Sequence, residues 1–176
     1  LAQRRVLIVG GTGPVGRIAG VMAAQLGAVV TLAGRSAPSS VQAASETGER
    51  FGVVLRGGAA GDRSLLAAAD VVLACAAAGV QVLGAEDLAA ATQLKVAADV
   101  NAVAPEGIAG VGVMDDAKPL AGTNALGIGA LAIGNVKYQT QQRLLVQMRG
   151  AEKAVTLGVA EAMAMARSVL AEAKAA

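Results

Sequence analysis

The sequence predicts an α/β fold in which a doubly wound, mostly parallel sheet carries helices on both faces. Short apolar runs rich in β-branched residues occupy positions 6–9, 28–32, 70–75 and 94–100, and helix-forming stretches separate them. A glycine-rich turn follows the first run directly. We expect the chain, residues 1–176, to form a single domain, because its length suffices for one well-filled core and not for two.

The glycine-rich turn, residues 11–16, has the spacing G-x-G-x-x-G in the sequence Gly-Thr-Gly-Pro-Val-Gly. We predict that Gly11 permits a tight turn, Gly13 lets a pyrophosphate approach the backbone, and Gly16 lets the next helix pack closely on the strand. Pro14 suits the first turn of that helix. Free N–H groups at a helix start attract phosphates, so the turn predicts a dinucleotide site in a Rossmann-like fold.

The end of the second run indicates which dinucleotide binds. An NAD site usually has Asp or Glu there, but this chain has Gly34-Arg35-Ser36 and no acid before Glu46. We predict that Arg35 and Ser36 bind a 2′-phosphate, which favours NADP over NAD as the cofactor. The arginines that make this stretch basic are Arg4, Arg5, Arg17 and Arg35. The alternative is that Arg35 is a solvated loop residue and NAD is used.

Further elements follow from pattern and capping. We predict helices at 39–50, 62–69 (capped by Asp62) and 86–91, and a further helix that follows residues 124–129 and ends at 148. We also predict a strand at 51–55 and a long C-terminal helix at 151–175. The apolar face of that last helix is predicted to consist of Val155, Val159, Met163 and Leu170. The small residues after the 70–75 run leave room for a nicotinamide ribose, although alanine richness alone could explain them.

Composition excludes several classes of protein. A net charge of +2 without a basic stripe argues against nucleic-acid binding, and no apolar run is long enough to cross a membrane. Cys75 is the single cysteine, so no internal disulfide is possible, and we expect a cytoplasmic protein in which Cys75 is a core residue. The chain has no histidine, which removes the commonest general base, and we predict no metal site.

Longer motifs carry a family resemblance. Residues 10–20 (GGTGPVGRIAG), 32–36 (LAGRS), 98–116 (ADVNAVAPEGIAGVGVMDD) and 125–144 (ALGIGALAIGNVKYQTQQRL) resemble the NADP-binding domain of the methylene-tetrahydromethanopterin dehydrogenases, a family that includes members acting on methylene-tetrahydrofolate. The resemblance covers nearly the whole chain. It implies hydride transfer from a methylene carbon bridging two pterin nitrogens to NADP, in one-carbon metabolism.

The resemblance also implies residue roles. The pyrophosphate would be held by Gly11, Thr12, Gly13, Pro14, Val15 and Gly16. Arg35 and Ser36 would bind the 2′-phosphate. Ala76 and Ala77 would lie beside the nicotinamide ribose, Asn101 near the nicotinamide, and Lys137 on the substrate side. For Lys137 the alternative is a plain exposed helix lysine.

Family members carry an amino-terminal domain that forms the other wall of the pterin cleft, and this chain starts directly before the first strand. We therefore expect either a homo-oligomer or a partner that supplies the missing domain. A non-catalytic NADP-binding sensor or scaffold is the alternative function. Short-chain reductase chemistry is disfavoured because Gln142, not Lys, follows Tyr138 at four residues, and nothing supplies the Lys-Asp pair of a shikimate dehydrogenase-like enzyme.

Overall fold

The strands predicted from the apolar runs lie side by side in one sheet of seven strands. The computed structural model describes residues 1–175. The strands are β1 (Arg5–Val9), β2 (Val29–Gly34), β3 (Arg56–Ala59), β4 (Val71–Ala74), β5 (Val96–Asp99), β6 (Lys118–Pro119) and β7 (Leu126–Ile128). Their order is β3-β2-β1-β4-β5-β7-β6, with every neighbouring pair parallel except β6 and β7. The predicted Rossmann-like, doubly wound fold is confirmed.

Helices connect these strands and follow the last one. They are α1 (Pro14–Gln25), α2 (Ala37–Phe51), α3 (Arg63–Ala68), α4 (Ala85–Ala90), α5 (Ala130–Arg149) and α6 (Val159–Ala175). Asp62 caps α3 as predicted, because its carboxylate accepts the Ser64 N–H at 2.9 Å. Contacts divide the chain into two compact units, Leu1–Ala130 and Leu131–Ala176, and the prediction of a single domain stays a prediction.

The core of the first unit lies on both faces of the sheet. Successive residues of β1 point to opposite faces, so Val6 and Ile8 join one apolar cluster while Leu7 and Val9 join the other. Both clusters are built almost wholly from aliphatic side chains. A strand buried on both faces explains why β1 reads as a continuous apolar run.

The strand predicted at residues 51–55 is wrong. Phe51 ends α2, Gly52 follows with a φ of +65°, and the strand is Arg56–Ala59, which begins directly after the predicted one ends. A Cβ on Gly57 would collide with the backbone of Ser40 and Val41, so this strand needs glycine to lie against α2. Glycine is uncommon in strands, which is why an apolar pattern missed it.

In the second unit, the predicted C-terminal helix is present but begins later. It starts at Val159, where the Gly158 N–H donates to the Glu161 carboxylate at 2.8 Å, and residues 151–158 are not helical. Among the side chains of α6 whose burial the structure describes, Val169 is the buried one, whereas Leu170, predicted on the apolar face, is 45% exposed. Arg143 on α5 donates two hydrogen bonds of 2.7 Å to Glu172 on α6.

Candidate functional site

The parallel strands end together at one edge of the sheet. β1 lies between β2 and β4, and the chain runs outward from β1 to β3 on one side and from β4 to β5 on the other. In such sheets, a crevice forms at the carboxyl ends where the strand order reverses, and ligands bind there. The predicted site residues of the first unit follow β1, β2, β4 and β5, so the topology brings them to this edge.

The tight turn after β1 depends on Gly10 and not only on the predicted Gly11. Gly10 has a φ of +80°, and a Cβ on it would lie 2.6 Å from the backbone of Cys75 and Ala76. Gly11 instead allows close packing, because a Cβ there would lie 2.8 Å from the Leu32 backbone. The turn therefore fits tightly between the ends of β2 and β4.

The other two glycines of the motif differ in what surrounds them. A Cβ on Gly16 would lie 2.7 Å from the Gly10 carbonyl oxygen and the Gly11 Cα, so α1 packs closely on the turn as predicted. A Cβ on Gly13 would meet nothing nearer than the Gly10 oxygen at 3.5 Å, an ordinary contact. Packing within the protein therefore accounts for Gly16 and does not account for Gly13.

The start of α1 leaves backbone donors available. Gly13 is the N-cap and Pro14 begins the helix, with no side-chain cap. Among the described residues, the N–H groups of Thr12, Val15 and Gly16 donate to no other protein group. These donors, with the positive end of the helix dipole, form a site for an anion.

Arg17 holds the turn in place. Its Nε donates to the Thr12 carbonyl oxygen at 2.9 Å, and its Nη1 lies 2.9 Å from a carboxylate oxygen of Glu46 on α2. The hydrogen bond from Arg17 lowers the pKa of Glu46. The charge of Arg17 is thus paired with Glu46 at the protein surface, and its side chain joins the glycine turn to α2.

Arg35 and Ser36 lie where β2 passes into α2. Arg35 is exposed and takes part in no ion pair among the residues the structure describes. Ser36 is the N-cap of α2, and its Oγ accepts the Ser39 N–H at 3.4 Å and lies 2.8 Å from the Ser39 Oγ. A Cβ on Gly34 would lie 2.8 Å from the Thr12 side chain, so the end of β2 adjoins the glycine turn.

The basic stretch identified in the sequence is not one basic surface. Arg4 and Arg5 lie at the amino end of β1, and their guanidinium groups are 3.5 and 3.6 Å from the Asp70 carboxylate. The N–H of Arg5 also donates to Asp70 at 2.9 Å, and this bond, above all, lowers the pKa of Asp70. The carboxyl edge therefore has Arg17, already paired, and Arg35 with its charge available.

The loop after β4 adjoins the glycine turn. Ala76 is half-buried and Ala77 is exposed. Cys75 is partly buried, and burial, together with the nearby Asp99 carboxylate, raises its thiol pKa to about 11. At neutral pH the thiol is protonated and unreactive, which agrees with the predicted core role.

Asn101 lies in the loop after β5 and is only 7% exposed. Its Oδ1 accepts the N–H groups of Gly79 and Val103 at 3.3 and 3.0 Å, and its Nδ2 donates to the Pro105 carbonyl at 2.9 Å. The side chain therefore links the loop after β4 to the loop after β5. Its predicted place near a nicotinamide stays a prediction.

Lys137 lies on α5 in the second unit. Its side chain is exposed and forms no salt bridge among residues 1–175. Tyr138, next to it, is 65% exposed. The substrate-side role of Lys137 stays a prediction.

Sequence reasoning missed how three residues shape the site: Arg17, which it counted only among the basic residues, Glu46 and Asp99. A signal existed for each. Arg17 places a cation at the positive end of a helix, where it needs a carboxylate partner such as Glu46. Asp99 is an acid at the end of an apolar strand, and a buried carboxylate must find donors.

None of the described helices combines the length and hydropathy that crossing a membrane requires. Across residues 1–175, no three acidic or cysteine side chains gather into a group that could hold a metal ion.

A solved structure supports the fold. The ligand-free 5-ketofructose reductase of Gluconobacter sp. strain CHM43 aligns with 96% of this chain and 57% of its own, with a TM-score of 0.53 and 20% identity. The UDP-glucose-4-epimerase of Stenotrophomonas maltophila aligns with 55% of this chain and 36% of its own, with a TM-score of 0.42 and 20% identity, too little to add to the assignment. No family model matches the chain.

A curated protein is much closer in sequence. The NAD(P)-dependent methylenetetrahydromethanopterin dehydrogenase of Methylorubrum extorquens is 41% identical in an alignment of 172 residues that covers 94% of this chain. The chain spans 58% of the length of that relative. Identity at this level over nearly the whole chain confirms the resemblance found in the motifs. The chain is similar along nearly its whole length to the part of the methylenetetrahydromethanopterin dehydrogenase that it matches.

Proposed function

We propose that this chain is the cofactor-binding part of a dehydrogenase that transfers a hydride from methylene-tetrahydromethanopterin to NADP. The observation that carries the proposal is the glycine turn after β1. Gly10, Gly11 and Gly16 are required by contacts within the protein, but Gly13 is not. A glycine that internal packing does not require, beside free N–H groups at a helix start, fits a pyrophosphate that approaches the backbone.

The preference for NADP rests on Arg35. It follows β2 directly and keeps its charge available, whereas Arg17 is paired with Glu46 and both Arg4 and Arg5 are paired with Asp70. A guanidinium can bind a 2′-phosphate through two parallel hydrogen bonds. Ser36 caps α2 through its oxygen and can still donate its hydroxyl hydrogen to a phosphate.

In the first unit, the proposed remainder of the dinucleotide site lies after β4 and after β5, where Ala76 and Ala77 leave space for the nicotinamide ribose and Asn101 lies near the nicotinamide. In the second unit, Lys137 is proposed as a substrate-side residue. When bound, NADP supplies the hydride acceptor. We also propose a cytoplasmic location and an assembly, either a homo-oligomer or a complex with a partner domain, that completes the pterin cleft.

The substrate proposed here needs little acid-base help. A methylene carbon between two nitrogens releases a hydride to give a resonance-stabilised methenyl cation, and no proton leaves in that step. The protein has to orient the two reactants and exclude side reactions. A chain without histidine is suited to this chemistry.

Turnover tests the proposal. Purified protein is mixed with NADP and methylene-tetrahydromethanopterin, and formation of the reduced cofactor is followed by absorbance. We expect turnover with this pterin. Faster turnover with methylene-tetrahydrofolate would mean that the folate form is the substrate and that the proposed reaction is still correct. Tight NADP binding without turnover on either pterin would mean that the purified chain is a cofactor domain that needs a partner to complete the pterin cleft. Absence of turnover after that partner domain is added would favour the sensor or scaffold alternative.

A further inference from the structure

We propose that Asp99 and Asn101 act together as positioning residues for the nicotinamide half of the cofactor. They join the loops after β4 and β5 into one rigid support, at the end of the crevice away from Arg35. This inference rests on the proposed function, because it assumes a dinucleotide in the crevice. It adds a role for Asp99. It also divides the site into a part that binds the adenosine half of the cofactor and a part that binds the nicotinamide half, which can be tested separately.

Asp99 is the last residue of β5 and is 1% exposed. Its Oδ2 accepts the N–H groups of Gly107 and Ile108 at 2.6 and 3.2 Å, and its Oδ1 accepts the Asn101 N–H at 2.9 Å. A Cβ on Gly107 would lie 2.8 Å from the carboxylate, so the loop closes tightly over it. The carboxylate thereby fixes both ends of the segment between Asn101 and Ile108.

Asn101 extends this support to the neighbouring loop. The Gly79 N–H that its Oδ1 accepts belongs to the loop after β4, 22 residues earlier in the chain. A Cβ on Gly79 would also lie 3.9 Å from a Val103 methyl group, so the two loops touch at this point. Removing the Asn101 side chain would break this hydrogen bond between the two loops.

The support continues to the glycine turn, because Gly10 packs against the backbone of Cys75 and Ala76. Both loops also expose apolar side chains: Val80 is 47% exposed, Val100 37% and Val103 54%. A rigid base with exposed valines is suited to the flat, partly apolar nicotinamide ring. Exposed apolar groups at a crevice are typical of ligand contact.

The topology decides which half of the cofactor lies here. The free N–H groups at the start of α1 follow β1, and Arg35 follows β2. A dinucleotide with its pyrophosphate at β1 and its 2′-phosphate at β2 must extend its other half over the ends of β4 and β5. The Asp99 and Asn101 hydrogen bonds lie at those two strand ends.

The test compares two ligands in Asn101→Ala and in wild type by calorimetry. One ligand is NADP; the other is adenosine 2′,5′-bisphosphate, which has the adenosine half and the 2′-phosphate but no nicotinamide. We expect the Kd of NADP to rise about tenfold in the variant, because the nicotinamide support loosens, and the Kd of the bisphosphate to stay within about twofold. Exposed Asn124→Ala is the matched control and should change neither Kd.

Asp99→Asn is the second variant, with exposed Asp116→Asn as its control. An amide has one acceptor oxygen, so it cannot satisfy all three N–H groups that Asp99 binds. We again expect a higher Kd for NADP and a nearly unchanged Kd for the bisphosphate. Equal weakening of both ligands, or no weakening of NADP in either variant, would overturn the inference. Failure of wild type to bind either ligand would overturn the proposed function as well, so the two failures are distinguishable.

Discussion

At the residue scale, the choice of cofactor depends on how the arginines are paired. Arg4 and Arg5 are held by Asp70 at the amino end of β1, and Arg17 is held by Glu46. Arg35 follows β2 at the carboxyl edge and forms no ion pair among the described residues, so its charge is available to a ligand. The number of arginines before Glu46 in the sequence indicated a preference for NADP, but in the structure that preference depends on Arg35.

Arg35→Ala should therefore separate the two dinucleotides. We expect the Kd of NADP to rise roughly 10- to 100-fold, because a hydrogen-bonded charge pair with the 2′-phosphate is lost, and the Kd of NAD to stay nearly constant. Calorimetric titration with each dinucleotide measures this. Exposed Arg56→Ala, which lies at the amino end of β3 and changes the net charge equally, is the control. Equal losses for both dinucleotides would remove Arg35 from the 2′-phosphate site.

At the element scale, the fit of the glycine turn between β2 and β4 defines the site. Gly10 has a φ of +80°, and a Cβ added to it would lie 2.6 Å from backbone atoms, so both strain and collision oppose any other residue. Gly52, after α2, has a φ of +65° and nothing within 4 Å of a Cβ added to it. The two glycines share a backbone conformation and differ in free space.

Gly10→Ala and Gly52→Ala should therefore differ in stability. We expect Gly52→Ala to lower the free energy of unfolding by about 1 kcal/mol, the cost of a left-handed conformation less the gain in chain stiffness. Gly10→Ala should lower it by roughly 2–5 kcal/mol, because overpacking adds to that cost. Urea denaturation measures both. Similar losses in the two variants would mean that the turn is not tightly held by β4.

Most elements could be predicted because their signals are local. An apolar run predicts β1, Asp62 predicts the start of α3, and the glycine spacing predicts the start of α1. The failures have non-local causes: in β3, α2 lies against Gly57 and Leu65 of α3 lies against Gly58. In α6, Val169 is buried and Leu170 is not. Gly10 was missed as the turn residue because the loop after β4 determines its surroundings.

The candidate site, like the fold, could be predicted from the sequence only where its signals are local. Positions that follow strand ends, such as Arg35 and Asn101, could be located by counting along the chain. The pairing of Arg17 with Glu46 and the three N–H groups around Asp99 bring together distant segments, and no single window of sequence contains them. The buried charge of Asp99 and the charge of Arg17 at a helix start indicated that each needs a partner. The sequence did not indicate which residues those partners are.

At the scale of the whole molecule, the chain matches 58% of the length of its Methylorubrum extorquens relative. The first unit contains the sheet and the crevice edge, and the second contains α5 with Lys137 and α6. Cofactor binding is proposed to depend on the first unit. Turnover is proposed to need the assembled pterin cleft, so binding and catalysis are separate questions.

The most direct test of the central claim, that the carboxyl edge of this sheet binds NADP, is calorimetric titration of the purified chain with NADP and with NAD. We predict one site per chain, with NADP bound at least tenfold more tightly than NAD, a difference of about 1.4 kcal/mol. If neither dinucleotide gave a saturable heat signal, the claim would be contradicted. Tighter binding of NAD than of NADP would contradict the role of Arg35.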